Sequence, residues 1–90
     1  MKQLPYVDLV ATGQRIKKLR KERNLRVEDI SEYLGFTTGQ AVYKWQKGAC
    51  LPDINNLLAL SQILEVSMED ILVVYGEGDE PSPLDYSRTA

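Results

Sequence analysis

Histidine is missing from this chain, and cysteine occurs once, at position 50. Without histidine, metal sites and most acid–base or nucleophilic catalysis lose their usual residues. A single cysteine cannot close an internal disulfide, so Cys50 reads as a small, partly buried filler. Long apolar runs are lacking too. None approaches the roughly 18 residues that a membrane span needs, and the first residues lack the apolar core of a secretory signal. These absences predict no metal, no cofactor, no enzyme activity and a cytoplasmic location. Ninety residues make one domain with a modest core, and 43% hydrophobic with 27% charged residues is ordinary for a globular chain.

The net charge of −2 conceals a strong polarity. Residues 1–52 carry ten Lys/Arg against five Asp/Glu, a net of +5. Residues 53–90 carry one against eight, a net of −7. A chain divided in this way presents a basic face and an acidic face, unless the two clusters are simply solvated apart.

Residues 1–7 read as an extended arm, because Pro5 disfavours helix before it; Leu4, Tyr6 and Val7 are expected to tuck onto the core. A first helix begins at Asp8 or at Thr12, both competent caps, and runs to about Arg23. Leu9, Ile16 and Leu19 share one of its faces, and Arg15, Lys17, Lys18, Arg20, Lys21 and Arg23 cover most of the rest. Asn24 suits a left-handed terminator. A second helix spans Val27 to Leu34, with Val27, Ile30, Ser31 and Leu34 inward and Glu28 and Asp29 favouring its dipole. Its cap position holds Arg26, a poor cap. Gly35 ends it, and Phe36-Thr37-Thr38-Gly39 makes a turn with Thr37 or Thr38 capping the third helix.

That third helix is the segment from Gln40 to Gly48. Ala41, Val42 and Trp45 form a narrow apolar stripe, with Trp45 assigned to the core. Gln40, Tyr43, Lys44 and Lys47 lie off it, so an amide, a phenol and two ammonium groups meet solvent. Such a set can donate to phosphates and read base edges, although an ordinary amphipathic surface helix has the same pattern. Asp53 caps a fourth helix with a broad apolar face of Ile54, Leu57, Leu58, Leu60, Ile63 and Leu64. Ser67-Met68-Glu69-Asp70 starts a fifth in capping-box fashion, expected to run through Ile71, Leu72, Val73 and Val74. From Gly76 the acidic tail reads as disordered. The domain plan is an arm at 1–7, a helical domain at 8–75 and a tail at 76–90.

The order of these signals is informative: Arg15-Ile16-x-x-Leu19-Arg20, Ile30-x-x-x-Leu34-Gly35, Val42-x-x-Trp45-Gln46-x-Gly48-x-x-x-Pro52, then Val66-Ser67-x-x-x-Ile71-Leu72. Over residues 12–74 this resembles the lambda-repressor-like (Xre-type, Cro) helix-turn-helix family. The resemblance implies an all-α, compact bundle of about five short helices, the second and third forming a DNA-reading unit. Three departures stand out. Val27 replaces the family's usual phosphate-gripping Gln, and Arg26 next door can take over that contact. Gln46 stands where the family usually has Glu, so an amide–guanidinium bond to Arg20 replaces an ion pair. The segment from Gly35 to Val42 is one residue longer than the family's turn.

Carried over by position, the resemblance implies base reading by Gln40, Tyr43 and Lys44, and phosphate contacts from Arg26, Thr38 and Lys47. Some first-helix cations that face the second helix are expected to reach phosphate as well. The expected function is sequence-specific binding of double-stranded DNA as a phage-repressor-like transcriptional regulator, with residues 38–47 inserted into the major groove. The partner copy is expected through the apolar residues 71–75, forming a homodimer, with the acidic half pointing away from the duplex. The alternative is a protein-interaction module, an antitoxin or adaptor, whose fifth helix and acidic tail hold a partner.

Overall fold

The structure, a computed structural model, describes residues 5–75. Five helices follow one another: α1 Leu9–Glu22, α2 Val27–Leu34, α3 Gln40–Lys47, α4 Ile54–Leu64 and α5 Met68–Ile71. The architecture is an all-α bundle. Each helix contributes to one core of Ile16, Val27, Ile30, Val42, Trp45, Leu57, Leu60, Leu64 and Ile71.

Local chemistry sets the ends. Asp8 caps α1, its carboxylate accepting from Ala11 N at 3.0 Å, because a side-chain oxygen there satisfies an N–H that the helix leaves orphaned. Asn24 then turns left-handed at φ 59°. Asp53 caps α4 through Asn56 N at 2.8 Å. Ser67 and Asp70 bond reciprocally at the start of α5, the Asp70 N–H to Ser67 Oγ at 3.1 Å and the Ser67 N–H to Asp70 Oδ2 at 3.3 Å. The C-terminus of α4 is less conventional. Glu65 adopts φ 61°, and Arg23 closes over it, donating to Leu64 O at 2.9 Å and pairing with the Glu65 carboxylate at 3.4 Å.

The fifth helix is shorter than its sequence suggests. It ends at Ile71, and Leu72 is extended at φ −79°, ψ 133°. Val73 is buried, and Val74 forms an antiparallel bridge with Val7. The arm supplies the competing bonds: Asp8 N donates to Val73 O at 2.7 Å and Tyr75 N to Tyr6 O at 3.0 Å. Thr12, fully buried, accepts from Val73 N at 2.9 Å. Thr12 is therefore a staple between α1 and the C-terminal segment, not a cap. β-Branched valines favour this extended geometry, so arm and C-terminal segment satisfy each other.

Two further expectations are corrected. Tyr6 is not tucked in but 64% exposed, since its backbone does the pairing; Leu4 and the tail lie outside the described residues. On α4 the buried stripe is Leu57, Leu60, Ser61 and Leu64, leaving Ile54 70% and Leu58 47% exposed. α4 packs against α2 and α5, and positions 54 and 58 fall at the margin of the face those helices cover. Among the described residues no helix is long and apolar enough to cross a membrane.

Candidate nucleic-acid interface

The placement of α3 is decided by close backbone approaches. A Cβ built on Gly13 of α1 would lie 2.3 Å from Trp45 O and 2.6 Å from Gln46 O, so α1 meets the C-terminal end of α3 backbone to backbone. Gly48 ends α3 at φ 79°, and its Cβ would fall 2.8 Å from Val10 Cα. At the other end, a Cβ on Gly39 would lie 2.8 Å from Val27 Cγ1 and 3.3 Å from the Tyr43 ring. A larger residue there must displace the Val27 methyl and crowd the Tyr43 ring. These glycines were missed as positioning residues. Gly13 carried a readable signal, since a glycine inside a helical pattern sacrifices about 0.5–1 kcal/mol and calls for a packing reason.

Side chains complete the frame. Val42 is fully buried and Trp45 is 4% exposed, as expected of the inward stripe. Phe36 meets the Trp45 ring edge-on, centroids 6.0 Å apart. Arg20 Nε donates to Gln46 Oε1 at 2.9 Å, and Arg20 Nη1 to Leu25 O at 2.7 Å. The expected amide–guanidinium bond is therefore present, and it ties α1 to α3 through a half-buried pair.

With its inner face anchored, α3 turns Gln40, Tyr43, Lys44 and Lys47 to solvent. Tyr43 is 48% exposed, and its ring lies beside Gly39. Thr38 is exposed and is not the cap. Gly39 holds that position without a side-chain bond, because the longer turn carries Thr38 one residue out, where its Oγ1 accepts from Gln40 N at 3.3 Å. Beside these residues runs an open groove of about 610 Å³, lined among others by Thr38, Gln40, Ala41, Lys44 and Cys50. Cys50 is exposed there, contrary to the partly buried filler expected, because the linker after Gly48 passes over the surface.

Arg26 finds its explanation as a cap in its neighbour. Asp29 accepts from the Arg26 backbone N–H at 2.8 Å, performing half of a capping box from the far side. It also holds the Arg26 guanidinium at 3.1 Å. The guanidinium's hydrogen bond, followed by the backbone N–H, lowers the Asp29 carboxyl below its ordinary value. Reciprocally, the Asp29 hydrogen bond and charge raise Arg26. Both groups are solvent-facing, and a guanidinium has five donors, so Arg26 keeps N–H groups for a further acceptor.

The arginines of α1 and of its C-cap, by contrast, each bond a group elsewhere in the fold. Arg15 donates to Asp70 O at 2.5 Å, Arg20 bonds Gln46 and Leu25, and Arg23 covers the end of α4. They staple helices together through these bonds. Lys17, Lys21, Lys44 and Lys47 form no ion pair among the described residues.

A family model described as a helix-turn-helix domain matches residues 13–77. The chain belongs to the helix-turn-helix family. An SPbeta prophage-derived uncharacterized HTH-type transcriptional regulator of Bacillus subtilis (strain 168), YonR, is 35% identical over 60 residues. That match covers 67% of this chain and 55% of the relative, so the chain spans about half the relative's length. Among solved structures, the restriction-modification controller protein C.AhdI from Aeromonas hydrophila superposes with a TM-score of 0.65 at 26% identity. It covers 71% of this chain and 96% of its own. The P22 c2 repressor, solved in complex with a synthetic operator, gives a TM-score of 0.64 at 31% identity, covering 76% and 96%. The matched residues include α2, the turn after it and α3.

Proposed function

We propose that this helix-turn-helix chain is a sequence-specific DNA-binding transcriptional regulator of the phage-repressor kind, acting in the cytoplasm without a catalytic step. Residues 8–75 are the reading unit and 76–90 an acidic appendage. The observation that carries the reading is α3 itself. It is clamped inward by Val42, Trp45 and the Arg20–Gln46 bond, while every outward side chain is a hydrogen-bond donor. Laid in a major groove, such a helix offers Gln40 to adenine N6/N7, Lys44 to guanine O6/N7 and Tyr43 to a neighbouring edge or methyl group. Arg26, Thr38 and Lys47 flank it as phosphate contacts, whose role is positioning and counterion release.

One helix reads too few base pairs for useful selectivity, so the reading includes a twofold dimer with half-sites about one turn, ~34 Å, apart. The contact assigned to residues 71–75 narrows to Tyr75 with the adjacent Tyr6, each 64% exposed, because Val73 is buried and Val74 is taken by Val7. That same internal use takes Ile71 and Val73 out of the apolar run that would favour a protein-interaction module.

Selection from a random duplex pool at about 0.1 M salt, followed by sequencing, tests the reading. An enriched palindrome supports it; recovery of unenriched sequence overturns sequence-specific reading. Sedimentation of the protein free and on the selected duplex tests the dimer, which is abandoned if one copy binds alone at saturation.

A further inference from the structure

We infer that the outer face of α4, formed by Ile54, Asn55, Leu58 and Gln62 with Tyr33 beside them, docks on the same face of a second copy. This contact is separate from the one assigned above to Tyr6 and Tyr75, and it does not depend on the DNA reading.

Periodicity assembles the face. Ile54 and Leu58 stand one turn apart, so their side chains are neighbours on the helix surface, and both are exposed. Gln62, a further turn along, is exposed as well. Tyr33 of α2 extends the row, its hydroxyl donating to Gln62 Oε1 at 3.4 Å while half of the residue stays exposed. A lone exposed leucine is ordinary, whereas adjoining apolar side chains that no other helix covers mark a contact surface.

Charge selects the occupant. The solvent side of a helix in a globular chain normally carries charge, and 27% of this chain is charged. Yet α4 carries none from Ile54 to Leu64, while α1, α2, α3 and α5 all do. DNA requires cations, which this face does not offer. An unlike protein is selected through opposite charges across the contact. A twofold contact instead sets the patch against itself, where any charge would meet its like. A charge-free face is the one that suits its own copy.

Size sets the strength. A standing interface takes roughly 20–30 residues and about 800 Å² from each partner, far more than the side chains of this face supply. The contact is therefore weak, with a dissociation constant on the order of 0.1–1 mM. The residues bounding α4, Asp53 and Glu65, are both acidic and exposed, so salt screens repulsion between copies and does not weaken the contact. Phosphate binding has the opposite salt dependence.

Sedimentation of the full chain from about 0.01 to about 1 mM compares the wild type with Ile54→Lys, which sets like charges face to face. The variant is expected to melt as the wild type does, because Ile54 is 70% exposed. At the highest concentration the wild type is expected to be one doubling larger than the variant: a dimer against a monomer, or a tetramer against a dimer where the Tyr6–Tyr75 contact also forms. That difference is expected to persist at about 0.3 M salt. In a Cys50→Ser background, Leu58→Cys is expected to form an interchain disulfide with oxidised glutathione on the order of tenfold faster than Glu69→Cys, an exposed control on α5. Equal masses for wild type and Ile54→Lys, or equal rates for the two cysteines, would each overturn the inference. If the position-58 disulfide forms but no duplex is bound, the DNA reading fails and this contact stands. Duplex binding with no difference in mass has the reverse meaning.

Discussion

Arg20 and Gln46 are joined by a hydrogen bond of 2.9 Å between the guanidinium Nε and the amide Oε1, which fastens the outward helix to α1 without a buried negative charge. A charged acceptor makes such a bond stronger: bonds to charged groups contribute about 1.5–3 kcal/mol against about 0.5–1.5 kcal/mol for neutral ones. Gln46→Glu is therefore expected to raise stability by about 1 kcal/mol in thermal or denaturant unfolding. By lowering the positive charge beside α3, it should also weaken binding to all duplexes alike. A variant less stable than wild type would show that the site cannot accommodate the charge.

Gln40→Ala and Lys44→Ala remove exposed side chains that make no side-chain bond among the described residues, so both proteins should melt as the wild type does. Each is expected to lose about 1–3 kcal/mol at the selected duplex and to relax base choice at one position. Equal losses on selected and random duplexes would mean that these residues touch only phosphate.

Arg26 and Asp29 make a pH-dependent pair. The folded Asp29 carboxyl lies below its ordinary value of 3.8. Its contribution to stability is thus present above that value and is lost as pH falls through the lower, folded one. Asp29→Asn is expected to flatten this acid limb in unfolding measured from pH 6 to pH 2, and an unchanged limb would remove the pair from the account. Arg26→Ala should weaken binding to every sequence and lower the salt slope by about one unit. A slope equal to wild type would exclude Arg26 as a phosphate contact.

Trp45 is 4% exposed and packed on Phe36. Trp45→Ala is expected to destabilise the domain by about 3–5 kcal/mol in denaturant unfolding, a large share of a small domain's stability. If the variant melts like wild type yet no longer binds DNA, Trp45 contacts the duplex and α3 is rotated from the orientation described.

The sequence by itself determined the helices that rest on local rules. Asp8, Asp53 and Ser67 are good caps wherever they stand, Gly35 and Gly48 terminate helices at no steric cost, and the stripe of Val42 and Trp45 leaves Gln40, Lys44 and Lys47 outward by periodicity alone. The order of those signals was enough for family membership, and even the Arg20–Gln46 bond followed from residue types at matched positions. Tertiary structure decided what depends on neighbours distant in the chain. Val73 and Val74 continue an apolar run that reads as helix, and although β-branched residues lean to extended backbone, it is the pairing with the arm that decides for it. Ile54 and Leu58 look like core until α2 and α5 cover the adjacent face and leave them at its edge. Gly13 acquires its purpose only when the backbone of α3 approaches it, and Gly39 only when the Val27 and Tyr43 side chains do. The arginines of α1 and of its C-cap, interchangeable as charges in the sequence, became staples because carbonyls at Leu25, Leu64 and Asp70 were brought within their reach.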